Sequence, residues 1–359
     1  MFEIGTRNHS IDRLKIAAMF FIILGHFLIF RQDGLEKFSL NAAPAATRGD
    51  YTGLVLLGFA IIGTNLFFLI TGYFGSKLKP AKLLDLILVI YLWGGLVQAI
   101  LLAARRITLS TMLHTLLLLP DRYWFMEVYL VLMLATPVLN AFLARAGLKQ
   151  KLFLLGAWFL ILCVYSFTHD CTRIGAANGF SFIWAAFLYA AGNALREVSE
   201  KRKKDHRSAA LAVYAASTIL YIAVCIALAA GGKHGKLWKF AVSYNNPLVL
   251  ASAVSFFWLF ACRKEVRENR AVTLLAGATL GVYLIHTAPN LNLFSRIALR
   301  TDTVKGCLVL AGAAVLGSAA IYLVCATLDL LRQKTVSPPV LRLLKKATER
   351  LETRWGLKK

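Results

Sequence analysis

Ten long runs of apolar residues constrain this chain more than any other feature it has. They lie at roughly 14–30, 54–74, 83–103, 123–143, 152–168, 179–197, 209–230, 245–262, 272–290 and 304–328. Coiled as an α-helix, about 20 such residues match the thickness of a bilayer's hydrocarbon core. Nothing in that core can pair with a free peptide group, so a spanning segment must satisfy its backbone within itself. The sequence therefore predicts an all-α, polytopic integral membrane protein with about ten transmembrane helices. Composition agrees: 58% of the 359 residues are hydrophobic, 16% are charged, and mean hydropathy is +0.64. A soluble domain has far fewer apolar residues.

A net charge of +23 raises the question of nucleic acid. The distribution of the basic residues answers it, because they sit in short clusters between apolar runs, as membrane-facing loops do. Counting Lys and Arg orients the chain. The segments 1–13, 75–82, 144–151, 196–208, 263–271 and 329–359 hold 27, and the intervening set holds 12. The richer set is expected on the cytoplasmic side, with both termini. The chain then divides into a membrane unit over 1–330 and a basic tail over 331–359. In the tail, Leu341, Leu344, Leu351 and Trp355 recur at helical spacing among Arg342, Lys345, Lys346, Arg350 and Arg354. That pattern predicts an amphipathic helix on the inner leaflet; a disordered basic tail is the alternative. The six cysteines show neither C-x-x-C nor metal-ligand spacing, so no metal site is expected.

Chemistry has few places to sit. His26 interrupts the first run one turn before its end, eleven positions after Lys15. At ~100° and ~1.5 Å per residue, the two fall within ~20° on one face and ~16 Å apart along the axis. Met19 and Ile22 share that stripe. An ionisable group at such depth costs several kcal/mol unless something compensates it. With the predicted topology, Glu127 and His286 come to the depth of His26. Two imidazoles and a carboxylate at one level can hold a histidine as a general base, the carboxylate orienting it. The same trio also suits a hydrogen-bonded structural cluster, or a transporter in which His26 and Glu127 relay protons during export of a glycan precursor.

At the other end of the bundle, Arg13 and Lys15 open the first run, and Lys77, Lys79 and Lys82 follow the second. These cations suit a phosphorylated ligand; they equally suit ordinary positive-inside flanking. Asn65, Asn140 and Asn193 are expected to bond across helices, and Asp85 and Gln98 to line a polar interior. His114 falls in an outer loop, and Asp121-Arg122 reads as an interfacial ion pair.

Four stretches together resemble the membrane-bound acyltransferase 3 family. Ile11-Asp12-Arg13-Leu14-Lys15 followed by His26 is similar to its opening motif of a basic residue, ten others, then histidine. Phe67-Phe68 through Thr71-Gly72-Tyr73-Phe74 resembles its F-F-x-x-S-G-F/Y pattern. Trp124-Phe125 through Tyr129 to Pro137, and Tyr283-Leu284-Ile285-His286, are similar to two later signatures. Lys15 stands where arginine is usual, and Thr71 where serine is.

The resemblance implies an O-acyltransferase of the inner (cytoplasmic) membrane. It would move an acetyl or other short acyl group from cytoplasmic acyl-CoA to a hydroxyl of a surface glycan such as exopolysaccharide, capsule or lipopolysaccharide, free or lipid-linked. Acyl-CoA enters as donor substrate, with no permanently bound cofactor. His26 is the implied catalytic residue, as base or as nucleophile, with Glu127 beside it. Arg13, Lys15, Lys77 and Lys79 are expected at the acyl-CoA, and Tyr123, Trp124 and His286 at the acceptor. No esterase-like domain follows the last run, so transfer would be completed here or by a separate partner.

Overall fold

The computed structural model describes residues 8–40, 44–166, 169, 171, 174–201, 206–262, 268–336 and 338–339. Among these the regular structure is entirely helical. In chain order the helices are α1 (His9–Phe30), α2 (Arg48–Ala60), α3 (Gly63–Phe74), α4 (Pro80–Ala103), α5 (Leu109–Leu117), α6 (Leu119–Arg122) and α7 (Trp124–Arg145). Then come α8 (Leu148–Phe159, continued by π-helical turns over Leu160–Tyr165), α9 (Phe182–Lys201), α10 (Arg207–Ala230), α11 (His234–Ala241) and α12 (Pro247–Ala261). The last are α13 (Arg270–Gly277), α14 (Thr279–His286) and α15 (Val304–Thr335).

Seven stretches among the described residues are long and apolar enough to cross a membrane: His9–Phe30, Arg48–Phe74, Pro80–Ala103, Trp124–Arg145, Leu148–Tyr165, Arg207–Ala230 and Val304–Thr335. The other three predicted runs also form helices, of a different kind. The run at 179–197 becomes α9, which ends in Arg196, Glu197, Glu200 and Lys201. The run at 245–262 becomes the 15-residue α12, and 272–290 is broken into α13 and α14. The last helix runs on to Thr335. The tail residues Leu341 to Trp355 lie outside the described residues.

The first helix is the hub. Asn8 caps it, its side chain accepting from the amides of Ser10 and Ile11, as a cap residue does for otherwise unpaired N–H groups. Packed around α1 are α2, α3, α12, α13, α14 and α15. Gly63, at the break between α2 and α3, lets that bent span touch α1: a Cβ there would lie 2.7 Å from the Ala18 carbonyl. The α3 and α9 helices also approach closely. A methyl on Gly72 would strike the Tyr189 carbonyl, and one on Gly192 the Leu69 carbonyl. Small residues permit this approach where lipid supplies no hydrophobic drive.

Local chemistry explains the breaks. Gly75 ends α3 in the left-handed conformation at φ +64°, and Pro80 begins α4, the usual punctuation at the two ends. Pro137 inside α7 has no N–H for the Met133 carbonyl four residues earlier. The Thr136 hydroxyl donates to that carbonyl instead, at 2.7 Å. The asparagines do bond across helices: Asn65 to the Tyr244 carbonyl and Trp184 indole, Asn140 to the Ser76 carbonyl and Tyr189 hydroxyl, and Asn193 to Lys151.

Candidate active site

Helical periodicity on α1 builds the first wall. Lys15, Met19 and Ile22 follow one another at spacings of four and three residues, which keeps them on one face. All three line a cavity of about 670 Å³ between α1, α3, α4, α7 and the α13–α14 pair. Its cations are Lys15, Lys77, Lys79 and Lys82, with Asp85 as its acid. The Gly75–Lys79 turn presents two of these lysines. That turn is held by Asn140, whose amide donates to the Ser76 carbonyl at 2.8 Å. Further along, the walls become Phe67, Thr71, Phe125, Tyr129 and Tyr283.

Three of the four residues expected at a phosphorylated donor thus come together: Lys15, Lys77 and Lys79. Arg13 does not line the cavity. It sits two residues before Lys15, which turns it ~200° around the helix. Lys15 is also tethered, its ammonium 3.2 Å from the carboxylate of the buried Asp12.

One turn beyond Ile22 on the same stripe is His26, half-buried, and it meets His286 of α14. The nitrogens His26 Nδ1 and His286 Nε2 are 3.1 Å apart, while His286 Nδ1 is 2.6 Å from the Val282 carbonyl oxygen. A carbonyl only accepts, so His286 Nδ1 carries the proton and, in the neutral ring, Nε2 has the lone pair. His26 Nδ1 must then be the donor. That leaves His26 Nε2 unprotonated and without a partner among the described residues, which is the state a general base requires.

Glu127 is not part of this arrangement. Its side chain is exposed, on the stripe of α7 that also carries Val131, Leu134, Val138 and Phe142. These five recur at spacings of four, three, four and four, so one helix face presents all of them away from the bundle. The carboxylate expected to orient His26 is therefore replaced by an imidazole from another helix. The same geometry removes the Glu127 half of a His26–Glu127 proton relay.

The residues expected at the acceptor serve α14 and its surroundings instead. Tyr123 is buried, and its hydroxyl donates to the Leu284 carbonyl at 2.9 Å. Trp124 stacks among Phe180 and Tyr244, with ring centroids at 4.6 and 5.7 Å. His286 is 3% exposed with both ring nitrogens engaged.

One feature escaped the sequence reading, and Gln98, expected in a polar interior, gains a definite role. Asp329 is fully buried in α15, where it accepts from the Trp93 indole at 3.0 Å, from Arg332 at 2.7 Å and from Gln333 at 2.8 Å. It presses on Gly281 of α14, where a Cβ would collide with its carboxylate. The signal was a lone acid in an apolar run with Arg and Gln three and four residues on. Gln98, buried in α4, donates to the Pro289 carbonyl at 2.6 Å and accepts from Asn290 at 2.8 Å. These bonds fix the segment just past His286.

The family model described as an acyltransferase domain, acyltransferase 3, matches residues 8–328. No curated protein and no solved structure matches the chain.

Proposed function

The chain belongs to the acyltransferase 3 family, and from that premise we propose that it transfers a short acyl group, acetyl foremost, from acyl-CoA to a hydroxyl of a cell-surface glycan. In this reading ten segments cross the cytoplasmic membrane, with both termini and the lysine-lined mouth facing the cytoplasm. The observation that carries it is the α1 stripe: cations and a cavity at the Lys15 end, and a base with an unprotonated Nε2 one turn past the other end.

The lysines suit the phosphates of CoA, and the apolar walls from Met19 to Tyr283 suit its long arm. A lysine ammonium meets a phosphate as a point charge, without the bidentate grip of arginine. His26 Nε2 removes the proton from the acceptor hydroxyl. The oxygen bonds to the thioester carbonyl carbon, the C–S bond breaks, and the CoA thiolate leaves. The imidazolium returns its proton to that sulfur. His286 keeps His26 in the productive tautomer throughout, and Tyr123 and Asp329 hold the short helix that carries His286.

Labelled acetyl-CoA added to membranes with and without the protein tests the reading. Label should pass to a glycan fraction only when the protein is present. His26→Ala should accumulate normally and lose ~10²–10⁴-fold in rate, the worth of a general base. A well-expressed His26→Ala protein with near-normal transfer overturns the mechanism.

A further inference from the structure

Beyond the histidine pair lies a second pocket, of about 460 Å³, that the donor-side chemistry does not use. Ser110, Thr111, His114 and Thr115 of α5, Arg122 at the end of α6 and Asn290 line it, with Pro289. Three elements run from the lysine-lined cavity toward this pocket, and one of them carries His286. On α14 and its continuation the order is Tyr283 in the first cavity, His286 in the pair, then Pro289 and Asn290 in the second pocket. From Phe125 in the first cavity the chain leads back three residues to Arg122 in the second. Along α4, Leu86 lines the first, and Gln98, twelve residues or about 18 Å further on, holds the wall of the second. On α14 and its continuation, His286 therefore stands between the residues that line the two chambers.

The two chambers differ in chemistry. The first is mostly apolar apart from its lysines. The second has a single apolar lining residue, Pro289; the others are hydroxyls, an amide, an imidazole and a guanidinium. Among the described residues that line it, none is acidic. It is also built rather than incidental. Asn290, at φ +63°, donates from its amide to Gln98 at 2.8 Å and to Thr115 at 3.1 Å. Thr115 is buried and its oxygen accepts from Asn290. His114 and Arg122 are exposed to the pocket's solvent and show no protein partner among the described residues.

We infer that this pocket is the acceptor subsite, and that it takes a sugar bearing an anionic group, a phosphate or a carboxylate, close to its hydroxyls. Arg122 and His114 meet the anion, while Ser110, Thr111, Thr115 and Asn290 meet hydroxyls. A guanidinium suits either anion, since both offer it paired oxygens. A phosphate would come from a sugar phosphate, as at the reducing end of a lipid-linked glycan, and a carboxylate from an acidic sugar unit. The role as acceptor subsite rests on the acyl-transfer reading; the ligand chemistry does not.

Binding of glucose 1-phosphate, glucuronate and glucose to the full-length protein in detergent, followed by saturation-transfer NMR and titration, tests this without turnover. At least one anionic sugar should bind about tenfold or more tightly than glucose, the worth of one charge-assisted contact. Which one does so identifies the source of the anion. Arg122→Gln should erase the preference and Arg122→Lys retain part of it, with acetyl-CoA binding unchanged in both. No preference over glucose, or a preference that survives Arg122→Gln, overturns the proposal. His26→Ala should bind the anionic sugar as wild type does. If acyl transfer is absent with every acceptor while this binding stands, the transfer reading falls and the site remains.

Discussion

Replacing His286 with leucine tests the site most directly, because its effect follows from two hydrogen bonds. In the wild type His286 Nε2 accepts from His26 Nδ1 at 3.1 Å, and its own Nδ1 donates to the Val282 carbonyl. Leucine fills much of the same buried space but accepts nothing. His26 Nδ1–H is then left without a partner, which costs ~1–3 kcal/mol for a buried donor. The ring escapes that cost only by turning or by moving its proton to Nε2, and either change removes the base. The expected loss in kcat is therefore ~5- to 150-fold, less than the ~10²–10⁴-fold of His26→Ala. His286→Gln should recover much of the activity, because its amide oxygen can accept from Nδ1. The assay is transfer from labelled acetyl-CoA by purified protein in lipid nanodiscs, with kcat and the KM of each substrate separated across pH. The donor KM should not move, since the cavity lining on α14 stops at Tyr283. The acid limb of the rate profile should shift, because nothing then dictates which nitrogen of His26 holds the proton. A near-wild-type kcat in His286→Leu would refute the reasoning. So would a change confined to the acceptor KM, which would make His286 a binding residue.

Lys15→Ala should weaken acetyl-CoA binding about tenfold, the low end for a charged contact, because Asp12 already neutralises part of this cation; Lys15→Arg should bind as well or better. Unchanged affinity by calorimetry in the alanine variant would make the lysines mere topology signals. Glu127→Gln should alter the rate no more than about twofold, as expected of an exposed side chain away from the site; a tenfold loss would return the carboxylate to the mechanism. Gly192→Leu should lower thermal stability in detergent by forcing α3 and α9 apart, at a cost of ~1–3 kcal/mol for overpacking. A melting temperature equal to wild type would show that the two helices do not need their close approach.

The sequence by itself determined whatever depends on one helix at a time. Run length and hydropathy required helices. The eleven-residue spacing put Lys15, Met19, Ile22 and His26 on one stripe, and the order of the chain put Lys77 and Lys79 directly after the second run. Charge counting brought His286 near the level of His26. Only the packed bundle decided which residues at that level face one another. In water the apolar face of a helix points inward, and the sequence shows it. In lipid both faces are apolar, so Glu127 above Val131, Leu134 and Val138 gave no sign of pointing outward. The partner of His26 came instead from a short helix 260 residues away, aimed by Tyr123, by Asp329 against Gly281 and by Gln98 beyond it. Each of those contacts joins segments far apart in the chain, and helical period carries no record of how one segment is turned toward another.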